Sequence, residues 1–108
     1  MAKTSPTQLT LKKLKSEGYN TVQVCEHYNF FAKVRIDLFN FIDVLAISDD
    51  GEVLAVQCTS KSNISSRINK IANNKNIGAI RKAGWRVEVW GWFKNKSKRW
   101  ECKIEDVS

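Results

Sequence analysis

The stretch that most constrains the fold is residues 35–61, RIDLFNFIDVLAISDDGEVLAVQCTSK. Two β-branched and aliphatic runs flank an acidic turn, SDDG, and this pattern predicts two strands joined by a hairpin. Each run carries one polar residue where its apolar neighbours indicate burial, Asp43 in the first and Gln57 in the second. Burying such groups is costly unless they have partners. Both lie seven positions from Asp50, so a symmetric hairpin would place them directly opposite each other.

The sequence before this hairpin predicts one helix and one strand. Ser5 can cap a helix, Pro6 suits its first position and Gln8 completes a capping box, while Gly18 ends the helix. Residues 21–28 begin with alternating β-branched residues and are predicted as a strand.

The sequence after the hairpin, which we expect at about residues 38–59, predicts helices and two more strands. Isoleucines spaced by four and three residues from Ile64 mark one face of an amphipathic helix. Residues 77–83 form a second helical piece, residues 85–93 alternate as a strand, and residues 99–107 pair back on it.

The order of these elements is α-β-β-β-α-β-β. A crossover helix between the third and fourth strands implies a mixed sheet. The predicted fold is therefore α/β, a mixed central β-sheet flanked by helices, in a single domain of residues 1–108. No stretch has the length of a membrane span and the first residues lack a signal-peptide core, so we expect a cytoplasmic protein with no membrane partner.

The net charge of +7, from 18 Lys and Arg against 11 acids, favours an anionic partner, of which nucleic acid is the commonest. A solubilising surface is the alternative reading. The residues expected to contact nucleic-acid phosphates, unless they are merely a solvated helix face, are Arg67, Lys70, Lys75, Arg81 and Lys82.

Three tryptophans in the strand at residues 85–93 divide between its two faces. Trp85 is expected in the core. Trp90 and Trp92 share the other face, where they could cover a helix, a dimer partner or unstacked bases. Packing or dimer contact is the favoured interpretation.

Several kinds of active site lack support in the sequence. His27, the single histidine, has no recognisable nucleophile elbow, and there is no glycine-rich phosphate loop. Three separated cysteines, without a CxxC pair, suggest neither a disulfide framework nor a zinc site.

A divalent-metal site with oxygen ligands remains. Mg²⁺ prefers hard oxygens, which the Asp43 carboxylate, the Gln57 side-chain carbonyl and the Cys58 backbone carbonyl could supply. Lys61 could approach a scissile phosphate or the attacking water. The structural alternatives are an aspartate bonded to nearby backbone and a glutamine that ties two strands together.

The element order and the hairpin motif together resemble the PD-(D/E)XK nuclease superfamily, and in particular small Holliday-junction-resolvase-like endonucleases of phages and prokaryotes. The motif is Asp43 on the first hairpin strand followed by Gln57-Cys58-Thr59 on the second, and the resemblance covers roughly residues 7–93. It implies an endonuclease that depends on Mg²⁺ or Mn²⁺ and acts on duplex or branched DNA, with Asp43 as the metal-binding aspartate. A homodimer is a further expectation from the resemblance and from Trp90 and Trp92.

The motif departs from the family at two positions. Gln57 stands where the family usually has Glu or Asp, and Thr59 stands where it usually has Lys. The amide removes one negative charge from the metal site, and Lys61 would have to reach back to supply the cation. Further acids that could enter the site are Glu17, Glu26 and Asp37.

Two rival functions follow from these departures and from the charge. The first is a catalytically weak or inactive nucleic-acid-binding protein that retains the nuclease fold. The second is a small interaction protein whose basic charge is incidental.

Overall fold

The computed structural model describes residues 5–108, so the first four residues of the expected domain 1–108 lie outside the described part. The described chain forms, in order, α1 (Pro6–Ser16), β1 (Thr21–Val24), β2 (His27–Asn29), β3 (Val34–Ile36), β4 (Val44–Ile47), β5 (Val53–Ser60), a 3₁₀-helix (Lys61–Asn63), α2 (Ile64–Ala72), α3 (Ile77–Lys82), β6 (Arg86–Lys94) and β7 (Trp100–Asp106).

Five of the strands make one mixed sheet in the order β1-β4-β5-β6-β7. Its neighbours pair antiparallel except β5 and β6, which are parallel and are connected through α2 and α3. The predicted α/β fold with a mixed sheet is therefore confirmed. None of the described helices has the length and apolar character needed to cross a membrane.

The strand predicted over residues 21–28 is interrupted. Strand β1 ends at Val24, and the next residues open a separate two-stranded sheet in which β2 pairs antiparallel with β3. Alternation covers residues 21–25, and Glu26 interrupts it at the point where the chain leaves the large sheet. Glu26 directly precedes this hairpin and Asp37 directly follows it.

Alternation along β6 gives the large sheet two different faces. Val87 and Val89 pack with Ile71 and other residues of the crossover helices. Trp90 and Trp92 pack with Leu14 of α1 in a second cluster.

The Trp92 Nε1 donates to Thr10 Oγ1 at 2.9 Å, so the indole nitrogen is satisfied inside the fold. Helix α1, which starts at Ser5 with the predicted capping box, therefore covers this face. Both Trp90 and Trp92 are buried within the single chain, and the homodimer expectation loses the support that it drew from them.

Gly91 sets how closely the crossover approaches the sheet. A Cβ at this position would clash with the Ile64 side chain and would lie 2.9 Å from the Lys61 Cα. The start of α2 can therefore cross over β6 only where the strand has no side chain.

Candidate metal centre

Asp43 and Gln57 meet at the open end of the β4–β5 hairpin. The paired register ends at Val44 opposite Val56. Asp43 directly precedes Val44, and Gln57 directly follows Val56. The Gln57 Nε2 donates to Asp43 Oδ2 at 2.9 Å, and the Cys58 N–H donates to the same oxygen at 2.8 Å. Both side chains are 3% exposed. The prediction that they face each other is confirmed.

Two further acids come from the base of the β2–β3 hairpin. The last pair of that hairpin is His27 opposite Ile36, and Glu26 and Asp37 follow directly outside it. One carboxylate oxygen from each of Glu26, Asp37 and Asp43 lies within 4.8 Å of the others. The site is thus assembled from the open ends of two hairpins.

A backbone hydrogen bond joins the two hairpin ends. The Cys25 N–H donates to the Asp43 carbonyl at 2.7 Å, which brings the next residue, Glu26, beside Asp43. Glu17 does not join the cluster and instead pairs with Lys13 on α1 at 3.0 Å. The sequence alone did not distinguish Glu17, Glu26 and Asp37 as further ligands. The β2–β3 hairpin places Glu26 and Asp37 beside Asp43.

Two buried oxygens in this cluster have no hydrogen-bond donor among residues 5–108 while the carboxyl groups are ionised. They are Asp37 Oδ1 and Gln57 Oε1. A buried acceptor without a partner loses the hydrogen bonds that it makes to water in the unfolded chain, at a cost of about 1–3 kcal/mol. A hard cation is a partner of the kind that such oxygens accept, so Glu26, Asp37, Asp43 and Gln57 are the residues that could hold one.

The electrostatics of the cluster favour added positive charge. Burial raises the pKa of Asp43 from 3.8 to about 7. The nearby negative charges of Asp37 and Glu26, and a hydrogen bond that the protonated Asp43 makes to the Asp37 side chain, act in the same direction. The Cys58 N–H opposes this by stabilising the carboxylate. A cation bound here would favour the ionised form of Asp43 and lower its pKa.

Cys58 contributes its backbone to the site. Its N–H points at Asp43, and because the N–H and C=O of a strand residue face the same side, the carbonyl predicted as a ligand faces the acids as well. Burial raises the pKa of the Cys58 thiol far above its ordinary value, so the thiolate is disfavoured as a ligand.

A cavity of about 420 Å³ opens beside Glu26. Thr59 of β5, Asn63 and Arg67 contribute to its lining, and so does Arg35, whose guanidinium lies 3.4 Å from Glu26 Oε2. The Arg67 Nε is buried and has no acceptor in the described part of the chain. Sequence reasoning assigned Arg67 to phosphate contact but did not identify Arg35, because a lone arginine in a short hairpin carries no signal.

The cation predicted from the motif lies elsewhere. The Lys61 Nζ sits 4.4 Å from the centre of the Phe93 ring, and both residues line a separate cavity. Thr59 is 5% exposed and stands at the motif position itself. The motif residues Gln57 and Cys58 therefore contact Asp43 directly. Lys61, which was expected to supply the missing cation, contacts the Phe93 ring instead.

The other basic residues that were predicted to contact phosphates lie on α2, on α3 and between them. Arg81 Nη2 donates to the Val107 carbonyl at 2.8 Å, which ties α3 to the end of the chain. Lys70, Lys75 and Lys82 are exposed on α2, after it and on α3.

Comparison with known proteins finds no relative of this chain. No family model matches the chain, and neither a curated protein nor a solved structure matches it.

Proposed function

We propose that the protein is a metal-dependent DNA endonuclease of the PD-(D/E)XK type, which hydrolyses phosphodiester bonds with Mg²⁺ or Mn²⁺. The observation that carries the proposal is the pair of unpartnered buried oxygens, Asp37 Oδ1 and Gln57 Oε1, within a cluster of three carboxylates. Acidic clusters are common on protein surfaces, but here a neutral side chain, 3% exposed, adds an unsatisfied oxygen to them.

The three carboxylates supply the negative charge that a divalent ion needs. Asp43 is held by the Gln57 amide and the Cys58 N–H, and Glu26 is held by the Thr7 hydroxyl at 2.7 Å. These hydrogen bonds fix the orientation of the ligands before a cation arrives. A divalent cation in such a site neutralises phosphate charge and lowers the pKa of the attacking water.

Arg67 is the residue that best suits the phosphate. Its guanidinium lines the cavity beside Glu26 and has a buried N–H without an acceptor. Guanidinium groups bind phosphate oxygens through charge-assisted hydrogen bonds. In this role Arg67 replaces the positive charge that the motif lacks at Thr59.

A DNA-binding protein without nuclease activity is the second candidate. The observation in its favour is that Gln57 presents its Nε2, a donor, to Asp43 Oδ2, which leaves one carboxylate oxygen of Asp43 fewer for a cation. The Arg35 guanidinium close to Glu26 competes with a cation in the same way. In this alternative the cluster is a structural junction and the basic surface alone binds DNA.

Cleavage of end-labelled linear and four-way DNA separates the two candidates. The wild type is compared with Asp43→Asn and Glu26→Gln, with Mg²⁺, with Mn²⁺ and with EDTA. Glu17→Gln is the matched control, since it removes an acid that pairs with Lys13 outside the cluster.

We expect cutting that requires metal, is lost in Asp43→Asn and Glu26→Gln, and persists in Glu17→Gln. Salt-sensitive binding without cutting under either metal would support the binding protein instead. If the wild type binds no DNA at low salt, both candidates fail.

A further inference from the structure

The tip of the β2–β3 hairpin exposes two neighbouring aromatic rings. Phe30 is 81% exposed and Phe31 is fully exposed. Tyr28 in the middle of β2 and Val34 at the start of β3 are also about half exposed, on opposite faces of the hairpin. Water around large apolar side chains is unfavourable, so two neighbouring exposed rings are a candidate binding surface.

The tip has an ordered turn. The Asn29 Oδ1 accepts hydrogen bonds from the Phe31 N–H at 2.9 Å and from the Ala32 N–H at 3.0 Å. The Tyr28 ring contacts the Phe30 ring edge to face, with 5.0 Å between centroids. The turn backbone and the Phe30 ring are thus held in a defined arrangement, which reduces the entropy lost when a partner binds.

The positive charge of the hairpin favours an anionic partner. Residues 27–36 include Lys33 and Arg35 and contain no acid. Arg35 pairs with Glu26 just outside the hairpin, so Lys33 is the cation that charges its tip. A second copy of this chain would bring another net charge of +7 against the same basic hairpin, which is unfavourable. Flat apolar rings beside cations instead match a DNA strand, whose bases stack on aromatic side chains and whose phosphates are anionic.

The position of the hairpin links this surface to the acidic cluster. Glu26 directly precedes β2 and Asp37 directly follows β3, so the two acids form the base of the arm whose tip carries Phe30 and Phe31. The three-residue strands span roughly 10 Å at the usual rise per residue. A DNA strand with a phosphate at the cluster is therefore within reach of the aromatic tip a few nucleotides away.

We propose that the β2–β3 hairpin binds unpaired bases of DNA by stacking them on Phe30 and Phe31, next to the metal centre. This inference rests on the proposed function for its DNA substrate, and it restricts that substrate to DNA with single-stranded or unstacked nucleotides. Fully paired duplex would offer phosphates to the basic residues but no base faces to the rings.

Base stacking is separated from phosphate contact by an abasic oligonucleotide. A fluorescein-labelled single strand of mixed sequence is compared with a strand of the same length in which tetrahydrofuran replaces every base, so both carry the same phosphates. Binding is measured by fluorescence anisotropy in EDTA, which prevents cutting. The variant is Phe30→Ser/Phe31→Ser, and Ile104→Ser is the control because Ile104 is 39% exposed on β7, at the opposite edge of the sheet.

We expect the double variant to bind the normal strand about tenfold or more weakly than the wild type does. Binding to the abasic strand should be equal in the two proteins, and Ile104→Ser should match the wild type on both strands. Circular dichroism checks that the variants are folded. We expect the double variant to fold, because Phe30 and Phe31 are both highly exposed.

Three results would overturn the inference. They are equal binding of the normal strand by the wild type and the double variant, equal weakening on both strands, and no binding of either strand by the wild type. A wild-type dimer that becomes monomeric in the double variant, with DNA binding unchanged, would assign the patch to a second copy of the chain. The assay needs no cleavage, so base-dependent binding without nuclease activity would uphold this inference while the proposed function fails.

Discussion

The amide of Gln57 donates to Asp43 Oδ2 at 2.9 Å while its own carbonyl oxygen is buried without a partner. The same side chain therefore stabilises the ionised aspartate and leaves one hard oxygen unsatisfied. A purely structural glutamine between two strands would be expected to use both ends of its amide. The side-chain amide of Gln57 donates but does not accept a hydrogen bond, and this distinguishes it from a glutamine that only joins two strands.

Gln57→Glu should make the protein more dependent on metal. A fourth carboxylate beside Asp43 adds like charge to a buried site, so we expect the metal-free protein at neutral pH to lose about 1–3 kcal/mol of stability. Added Mn²⁺ should raise the melting temperature more than it does for the wild type, because the ion offsets the extra charge. Thermal unfolding followed by circular dichroism, with EDTA or Mn²⁺, measures both effects.

Gln23→Glu is the control for this substitution, since Gln23 is exposed on β1. It should change neither the metal-free stability nor the response to Mn²⁺. An equal response to Mn²⁺ in Gln57→Glu and the wild type would argue against a cation at Gln57.

The stability of the metal-free protein should depend on pH through Asp43. Its pKa is raised from 3.8 to about 7 on folding, so the folded state holds a proton that the unfolded state releases. This contribution is fully present below about pH 4 and is lost as the pH rises through about 7, at a cost on the order of a few kcal/mol.

Asp43→Asn removes this titration. In EDTA we expect its unfolding free energy to be flatter than that of the wild type between about pH 4 and about pH 8, and higher at the upper end. Urea unfolding at several pH values gives the two curves. Parallel curves would show that Asp43 ionises normally.

Gly91→Ala should destabilise the fold. The new methyl group would meet the Ile64 side chain and the Lys61 backbone, and overpacking of this kind costs about 1–3 kcal/mol. Gly78→Ala is the matched control, because a Cβ there meets nothing within 4 Å and the residue lies in α3. We expect the control to gain up to about 1 kcal/mol from helix propensity.

Urea unfolding of the two glycine variants provides the comparison. A similar stability change in both would mean that the crossover does not press against β6 at Gly91.

Thr10→Val should lower the free energy of unfolding, because it removes the hydrogen bond between α1 and β6. Valine keeps the shape of threonine but removes the acceptor of the Trp92 Nε1 hydrogen bond, and an unsatisfied buried donor costs about 1–3 kcal/mol. Thr10→Ser retains the acceptor and loses only a methyl group, so it should cost less. Urea unfolding with tryptophan fluorescence measures both variants, and an equal loss would assign the effect to packing.

Arg67→Ala and Lys61→Ala test which cation serves the phosphate. If cleavage is observed, we expect Arg67→Ala to reduce its rate about tenfold or more, since charge-assisted contacts to a reacting phosphate are strong. Lys61→Ala should have a smaller effect, because its ammonium contacts Phe93. The reverse ranking would support the expectation from the sequence that Lys61 reaches back to supply the cation missing at Thr59.

Local sequence signals were sufficient for the central pair and for most regular elements, but not for the β2–β3 hairpin. Alternating β-branched residues and a short turn set the register of the β4–β5 hairpin, and that register alone places Asp43 opposite Gln57. The capping box at Ser5 and the two faces of β6 were likewise predictable, because each depends on residues within a few positions of one another.

Tertiary structure decided everything that depends on contacts between distant segments. The exit of the chain from the sheet at Cys25 and the β2–β3 turn bring Glu26 and Asp37 to Asp43, whereas Glu17 pairs with Lys13. Packing of α1 decided that Trp90 and Trp92 are covered within one chain. These outcomes follow from which surfaces meet, and the periodicity of a segment reports only that it has a buried face, not what covers it.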